Sequence, residues 1–183
     1  QRSGRSAKVI SNIVARKAIQ LLSEGVRDGA AARAAHDYLY AQRGGKVSAT
    51  LNILSLDMVS KTFVMSRNND VPVLVYTLEN GHRLLDEPSI SVGVNRNTKP
   101  VITELPLETG TIIAVFTDGL RHAGSLSGKE HYDPCAAFAR LIDDGVTCPR
   151  TIADSLLAEA VALDNGRPKD DISILVTAVL PIE

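Results

Sequence analysis

The residues best placed to do chemistry are three aspartates beside two apolar runs. Ile112-Ile113-Ala114-Val115-Phe116 is unbroken apolar sequence, and Thr117, Asp118 and Gly119 follow it at once. Near the other end, Lys169-Asp170-Asp171 comes directly before Ile172-Ser173-Ile174-Leu175-Val176-Thr177-Ala178-Val179. Short, β-branched, apolar runs read as buried strands. The carboxylate follows the first strand and precedes the second. If the two strands pair antiparallel, Asp118 and Asp170/Asp171 meet at one sheet edge. Converging carboxylate oxygens are hard ligands and suit Mg²⁺ or Mn²⁺. Gly119 beside Asp118 lets the backbone turn sharply. Taken singly, Asp118-Gly119 is also an ordinary turn after a strand, and Asp170-Asp171 a solvated turn entering one.

The elements that must position these residues fall in a simple order. Apolar residues at helical spacing (Val9, Ile10, Ile13, Val14, Ala18, Leu21, Leu22) predict a helix over 7–23, closed by Gly25. Asp28 is the expected N-cap of a second helix running to about Gln42, with Gly44-Gly45 after it. The period then changes. Strands are expected over 48–56, 62–66 and 73–78, with Arg67-Asn68-Asn69-Asp70 as a turn between the last two and Asn80-Gly81 as a hairpin signal. Residues 48 to about 86 therefore read as an antiparallel meander. A further strand is expected over 101–105. A Gly- and Ser-rich segment, 121–129, reads as a loop beside the carboxylates. Asp133-Pro134 and Cys148-Pro149 start two more helices, with proline in the first turn. Strands grouped between helices, without β-α alternation, argue α+β with antiparallel sheet.

Bulk properties exclude several classes. At 183 residues the chain reads as one domain able to bury a substantial core. A net charge of −1 points to neither nucleic acid nor an anionic membrane as partner. No apolar run reaches the roughly 18 residues of a membrane span, and no signal peptide is visible. Cys135 and Cys148 lack metal-ligand spacing and read as reduced thiols of a cytoplasmic protein.

With these residues in place, a family resemblance is visible. Phe116-Thr117-Asp118-Gly119-Leu120 and Lys169-Asp170-Asp171-Ile172-Ser173 resemble the two C-terminal metal motifs of the type 2C, metal-dependent protein serine/threonine phosphatases, most of all the bacterial SpoIIE/RsbU/RsbX-like branch. Ser48-Ala49-Thr50 resembles the family's Ala-Thr strand, Asn69-Asp70-Val71-Pro72 stands where the branch has a Gly-His-x-Pro turn, and Ile90-Ser91-Val92-Gly93-Val94 resembles its Pro-Leu-Gly loop. The resemblance spans nearly the whole chain. It implies two antiparallel β-sheets sandwiched between helices, a four-layer αββα arrangement. It implies two Mn²⁺ or Mg²⁺ ions and hydrolysis of phosphoserine or phosphothreonine by a metal-activated water. Paired metals acidify water and clamp an in-line displacement at phosphorus. Relatives act in bacterial signalling and stress response on small phosphorylated regulators of the STAS (anti-anti-sigma) type, and a dimer is possible.

Residue by residue, the resemblance makes Asp118 and Asp170 the catalytic metal ligands and gives Asp171 a supporting or ligand role, with Gly119 serving the turn. His122 stands where the branch often has an acidic residue. His122, Arg2 and Arg5 are the candidate substrate contacts. The family's N-terminal Asp-Gly-x-Gly-x-Gly motif aligns with Gln1-Arg2-Ser3-Gly4-Arg5-Ser6, so Gln1 takes the place of the aspartate that bridges both metals. The strands that precede that motif have no counterpart. Three explanations stay open: a fragment whose strands lie elsewhere, an aspartate just upstream of Gln1, or a pseudophosphatase retained as a regulatory binding module.

Overall fold

The computed structural model describes residues 5–125 and 131–181. In chain order the elements are α1 (Arg5–Ser23), α2 (Asp28–Arg43), β1 (Leu51–Asp57), β2 (Thr62–Asn68), β3 (Val73–Thr77), β4 (Gly81–Leu85), β5 (Val101–Pro106), β6 (Ile112–Phe116), α3 (Asp118–Arg121), α4 (Pro134–Asp143), α5 (Pro149–Leu163) and β7 (Ile174–Ala178). The class is α+β, and both sheets are antiparallel. The chain divides into two compact units, each drawn from two separate segments.

The first unit comprises Gln1–Asp70 and Glu87–Leu107. Its three-stranded sheet has the order β1-β2-β5. Its core joins Val14 and Ala18 of α1, Ala31, Ala32, Ala35 and Leu39 of α2, Ile53 of β1 and Val92. Alanine on both facing helices lets their backbones approach closely, so much of this core is built from small side chains. Gly93 sits against it with φ +101°, and a Cβ there would lie 2.5 Å from Leu39 Cδ2 and 2.6 Å from the Val47 carbonyl oxygen. The buried His36 takes the Gly93 amide on Nδ1 at 3.0 Å. That satisfies a buried donor and makes this histidine structural.

Two local expectations change here. Asp28 is not the N-cap of α2. Arg27 holds that position, and Asp28 in the first turn accepts a hydrogen bond from Ser55 on β1. Nor do Asn68 and Asn69 form a turn. Asn68 closes β2, both side chains are buried, and neither residue has positive φ. The Asn69 amide donates to Ser89 Oγ while Ser89 donates back to the Asn69 carbonyl, and Asn68 donates to the Ile90 carbonyl. These bonds tie the end of β2 to a distant segment, so the expected meander is interrupted. β1-β2 is a hairpin in one sheet, and β3-β4 is a hairpin in the other.

The second unit comprises Val71–Asp86 and Glu108–Glu183, with sheet order β4-β3-β6-β7. β6 is flanked by partners on both sides, and Ile112, Ile113, Ala114 and Phe116 are all buried. An interior strand buried on both faces needs an unbroken apolar run, and 112–116 supplies it. Phe138, Leu141 and Ile142 of α4 and Ile152, Leu156 and Ala160 of α5 complete the core. Asp133 caps α4 by accepting the amides of Cys135 and Ala136, with Pro134 in the first turn. β7 pairs antiparallel with β6, with Phe116 opposite Ile174. That register is the one the carboxylate argument requires.

Candidate metal centre

The site is built where β6 ends and β7 begins. Beyond the last ladder pair, the Thr117 amide donates to the Ser173 carbonyl at 3.0 Å. The Thr117 hydroxyl accepts the Ser173 amide at 2.9 Å and donates to the Asp171 carbonyl at 3.0 Å. One side chain thus extends the pairing of the two strands past the sheet and sets residues 118 and 170–171 against each other. Asp118 then opens the single-turn helix α3, whose closing bond runs from the His122 amide to the Asp118 carbonyl. Residues four apart on a helix share a face, so His122 comes to the same side as Asp118.

The result is a cluster. One ligand atom each from Asp118, His122 and Asp170 lies within 4.8 Å of the others, and all three residues are exposed. Two carboxylate oxygens and one imidazole nitrogen form a donor set that fits a divalent cation of the Mn²⁺ type. These three side chains would hold the ion. Asp170 also accepts the amide of Asp171 at 2.9 Å, which fixes its carboxylate. The Asp171 carboxylate is not a member of the cluster, and its backbone carbonyl does the local work instead.

Gly119 has a different reason from the one its position predicts. It does not have positive φ. A Cβ at 119 would lie 2.4 Å from the Asp171 carbonyl oxygen and 3.0 Å from its carbon. Glycine is required because two backbones touch there, not because the chain turns through an unusual conformation.

Sequence reasoning brought Asp118 and Asp170 together and read His122 as a substrate contact. The structure places His122 with the two aspartates. Its signal was the i, i+4 spacing from Asp118, legible only once 118–121 is known to be helical. Asp164 caps α5 and is 7% exposed; its carboxylate accepts the Gly124 amide at 3.0 Å and anchors the segment after His122. The expected loop over 121–129 lies in part outside the described residues, as do Gln1, Arg2 and the side chain of Arg5.

The family model for stage II sporulation protein E (SpoIIE) matches residues 3–180. No curated protein sequence matches the chain. Among solved structures, the chain resembles the PP2C phosphatase domain with a regulatory-domain fragment of SpoIIE from Bacillus subtilis at TM-score 0.80 and 17% identity, covering 98% of this chain and 52% of that one. It resembles the RsbU and RsbW domains of a Mycobacterium tuberculosis protein at TM-score 0.74 and 21% identity, covering 96% and 48%. It resembles the catalytic domain of the serine/threonine phosphatase PstP, solved with two manganese ions, at TM-score 0.65 and 14% identity, covering 95% and 82%. The chain therefore spans about half the length of the first two. At these identities the structural likenesses show the fold, an α+β arrangement with two antiparallel sheets, as in type 2C phosphatase domains. The family match over 3–180 carries the assignment itself: this chain belongs to the SpoIIE family of type 2C phosphatase domains.

Proposed function

We propose that this chain is a Mn²⁺- or Mg²⁺-dependent protein serine/threonine phosphatase that hydrolyses phosphoserine or phosphothreonine on a small signalling regulator of the STAS type. The observation that carries the reading is the convergence of Asp118 and Asp170 at the joined ends of β6 and β7. The PstP domain, of similar fold, was solved with two manganese ions, which supports manganese as the first metal to try. A divalent ion held there supplies Lewis acidity towards water and phosphoryl oxygens. The protein's own part is to hold the donors still. Thr117 staples the strands, Gly119 allows the close approach, and the two carboxylates supply negative charge at the ends of strands. Two free cysteines fit a reducing cytoplasm, and no helix among the described residues is long and apolar enough to cross a membrane.

The test is hydrolysis of an aryl phosphate by the purified chain, with Mn²⁺ titrated in and then removed by chelator. Saturable, chelator-reversible turnover is expected, and Asp118→Asn should abolish it. Full metal-dependent activity in Asp118→Asn would overturn the site assignment. Gln1, aligned with the family's bridging aspartate, favours a second reading, a pseudophosphatase that binds a regulator without turnover. A neutral amide oxygen is a poor bridge between two dications. A folded sample inactive at millimolar Mn²⁺ but able to bind a phosphorylated STAS-type domain would put that reading first.

A further inference from the structure

We infer that His122 is a ligand to the metal of this site, and that its imidazole shifts the site's preference from Mg²⁺ towards Mn²⁺ and other transition metals. The inference rests on the metal reading above and adds a nitrogen donor to it. His122 is the C-cap of α3, in right-handed helical conformation, with its amide bonded to the Asp118 carbonyl. That turn sets the imidazole beside the Asp118 carboxylate, while Asp170 arrives from the segment before β7. All three donor atoms fall within 4.8 Å of one another.

Two other histidines, His36 and His82, have different work. His36 is buried and accepts the Gly93 amide. His82 lies 3.0 Å from Asp143 and packs against Tyr76 and Phe138. His122 instead faces two exposed carboxylates. The backbone that follows it is anchored by the buried Asp164, which holds the Gly124 amide two residues on. An exposed side chain on an anchored backbone is well placed to bind without first ordering a loop.

The choice of donor matters for the choice of ion. Mg²⁺ favours oxygen in near-ideal octahedral geometry and gives up water reluctantly. Imidazole suits Zn²⁺, Fe²⁺ and other transition ions, and affinity at nitrogen-containing sites rises along the first-row series. A two-carboxylate, one-imidazole set therefore separates Mn²⁺ from Mg²⁺ more strongly than three carboxylates would.

The experiment is pulsed electron paramagnetic resonance of the full chain loaded with Mn²⁺, beside competition of Mg²⁺ against Mn²⁺ followed by the free-Mn²⁺ signal. The wild type should show ¹⁴N modulation from a coordinated imidazole. In His122→Ala that modulation should vanish while His36, His82 and His131 remain, and Mn²⁺ affinity should fall by about tenfold or more. His122→Glu should recover most of the Mn²⁺ affinity without the nitrogen signal and narrow the Mn²⁺/Mg²⁺ ratio. If Mn²⁺ binds through Asp118 and Asp170 but the wild type shows no ¹⁴N modulation, or the modulation survives in His122→Ala, the His122 inference is overturned and the metal site stands. If the wild type takes up no Mn²⁺, or Asp118→Asn binds it equally well, both are overturned.

Discussion

Gly119 shows how little room the site leaves. Its hydrogen stands where a methyl group would sit 2.4 Å from the Asp171 carbonyl oxygen, a backbone atom that cannot rotate away. Gly119→Ala must therefore push the start of α3 away from the segment before β7, and with it Asp118 from Asp170. Overpacking of this kind costs about 1–3 kcal/mol. The expected outcome is a lower urea midpoint together with weakened Mn²⁺ binding. Unchanged stability with weakened binding would instead mean that the backbones separate freely. Glycine at 119 was legible in the sequence, but its reason was not, because the atom it avoids lies 52 residues away.

At the scale of elements, the ends of strands and helices decide the site. Tyr132 illustrates this where it bonds the residues that follow α3. Its amide donates to the Ala123 carbonyl, and its hydroxyl donates to Glu159 of α5 at 3.1 Å. Glu159 also pairs with Arg140 of α4. Burial first, and then the negative charge of Glu159, push the Tyr132 phenol well above its ordinary range. A raised folded-state pKa favours the protonated form in the folded state. The associated stability is complete below the ordinary tyrosine range near pH 10 and is lost as pH rises towards the folded value. Alkaline denaturation should therefore show a stability decline beginning near pH 10, and Tyr132→Phe should flatten it. An identical alkaline limb in the variant would remove Tyr132 as its source.

The described residues form two hydrophobic cores, each with large side chains that have no exposure. Leu39 anchors the first unit and Ile152 the second. Leu39→Ala and Ile152→Ala should each destabilise by about 2–5 kcal/mol, since a large buried side chain leaves a cavity that its neighbours only partly fill. Urea unfolding monitored by circular dichroism checks both. A loss below about 1 kcal/mol at either position would mean that its core collapses around the gap. Only Ile152→Ala alters the core that lies beneath β6 and α3.

By itself the sequence determined the helices and strands whose apolar period is long and unmixed. These include α1, the interior strand β6, and the proline-led helices α4 and α5, where the pattern records burial directly. It also placed a carboxylate after β6 and before β7, so that antiparallel pairing of the two, which the structure supplies, brings the carboxylates to one end. Tertiary structure alone decided the rest. It sent β2 and β3 into different sheets, because Asn68 and Asn69 find hydrogen-bond partners at Ser89 and Ile90 instead of turning. It converted residues 118–121 from a turn into a helical turn, and so delivered His122 to the aspartates. The first decision depends on partners 20 or more residues away, and the second takes place at a strand end that Thr117 ties to Asp171 and Ser173; local propensity records neither partner.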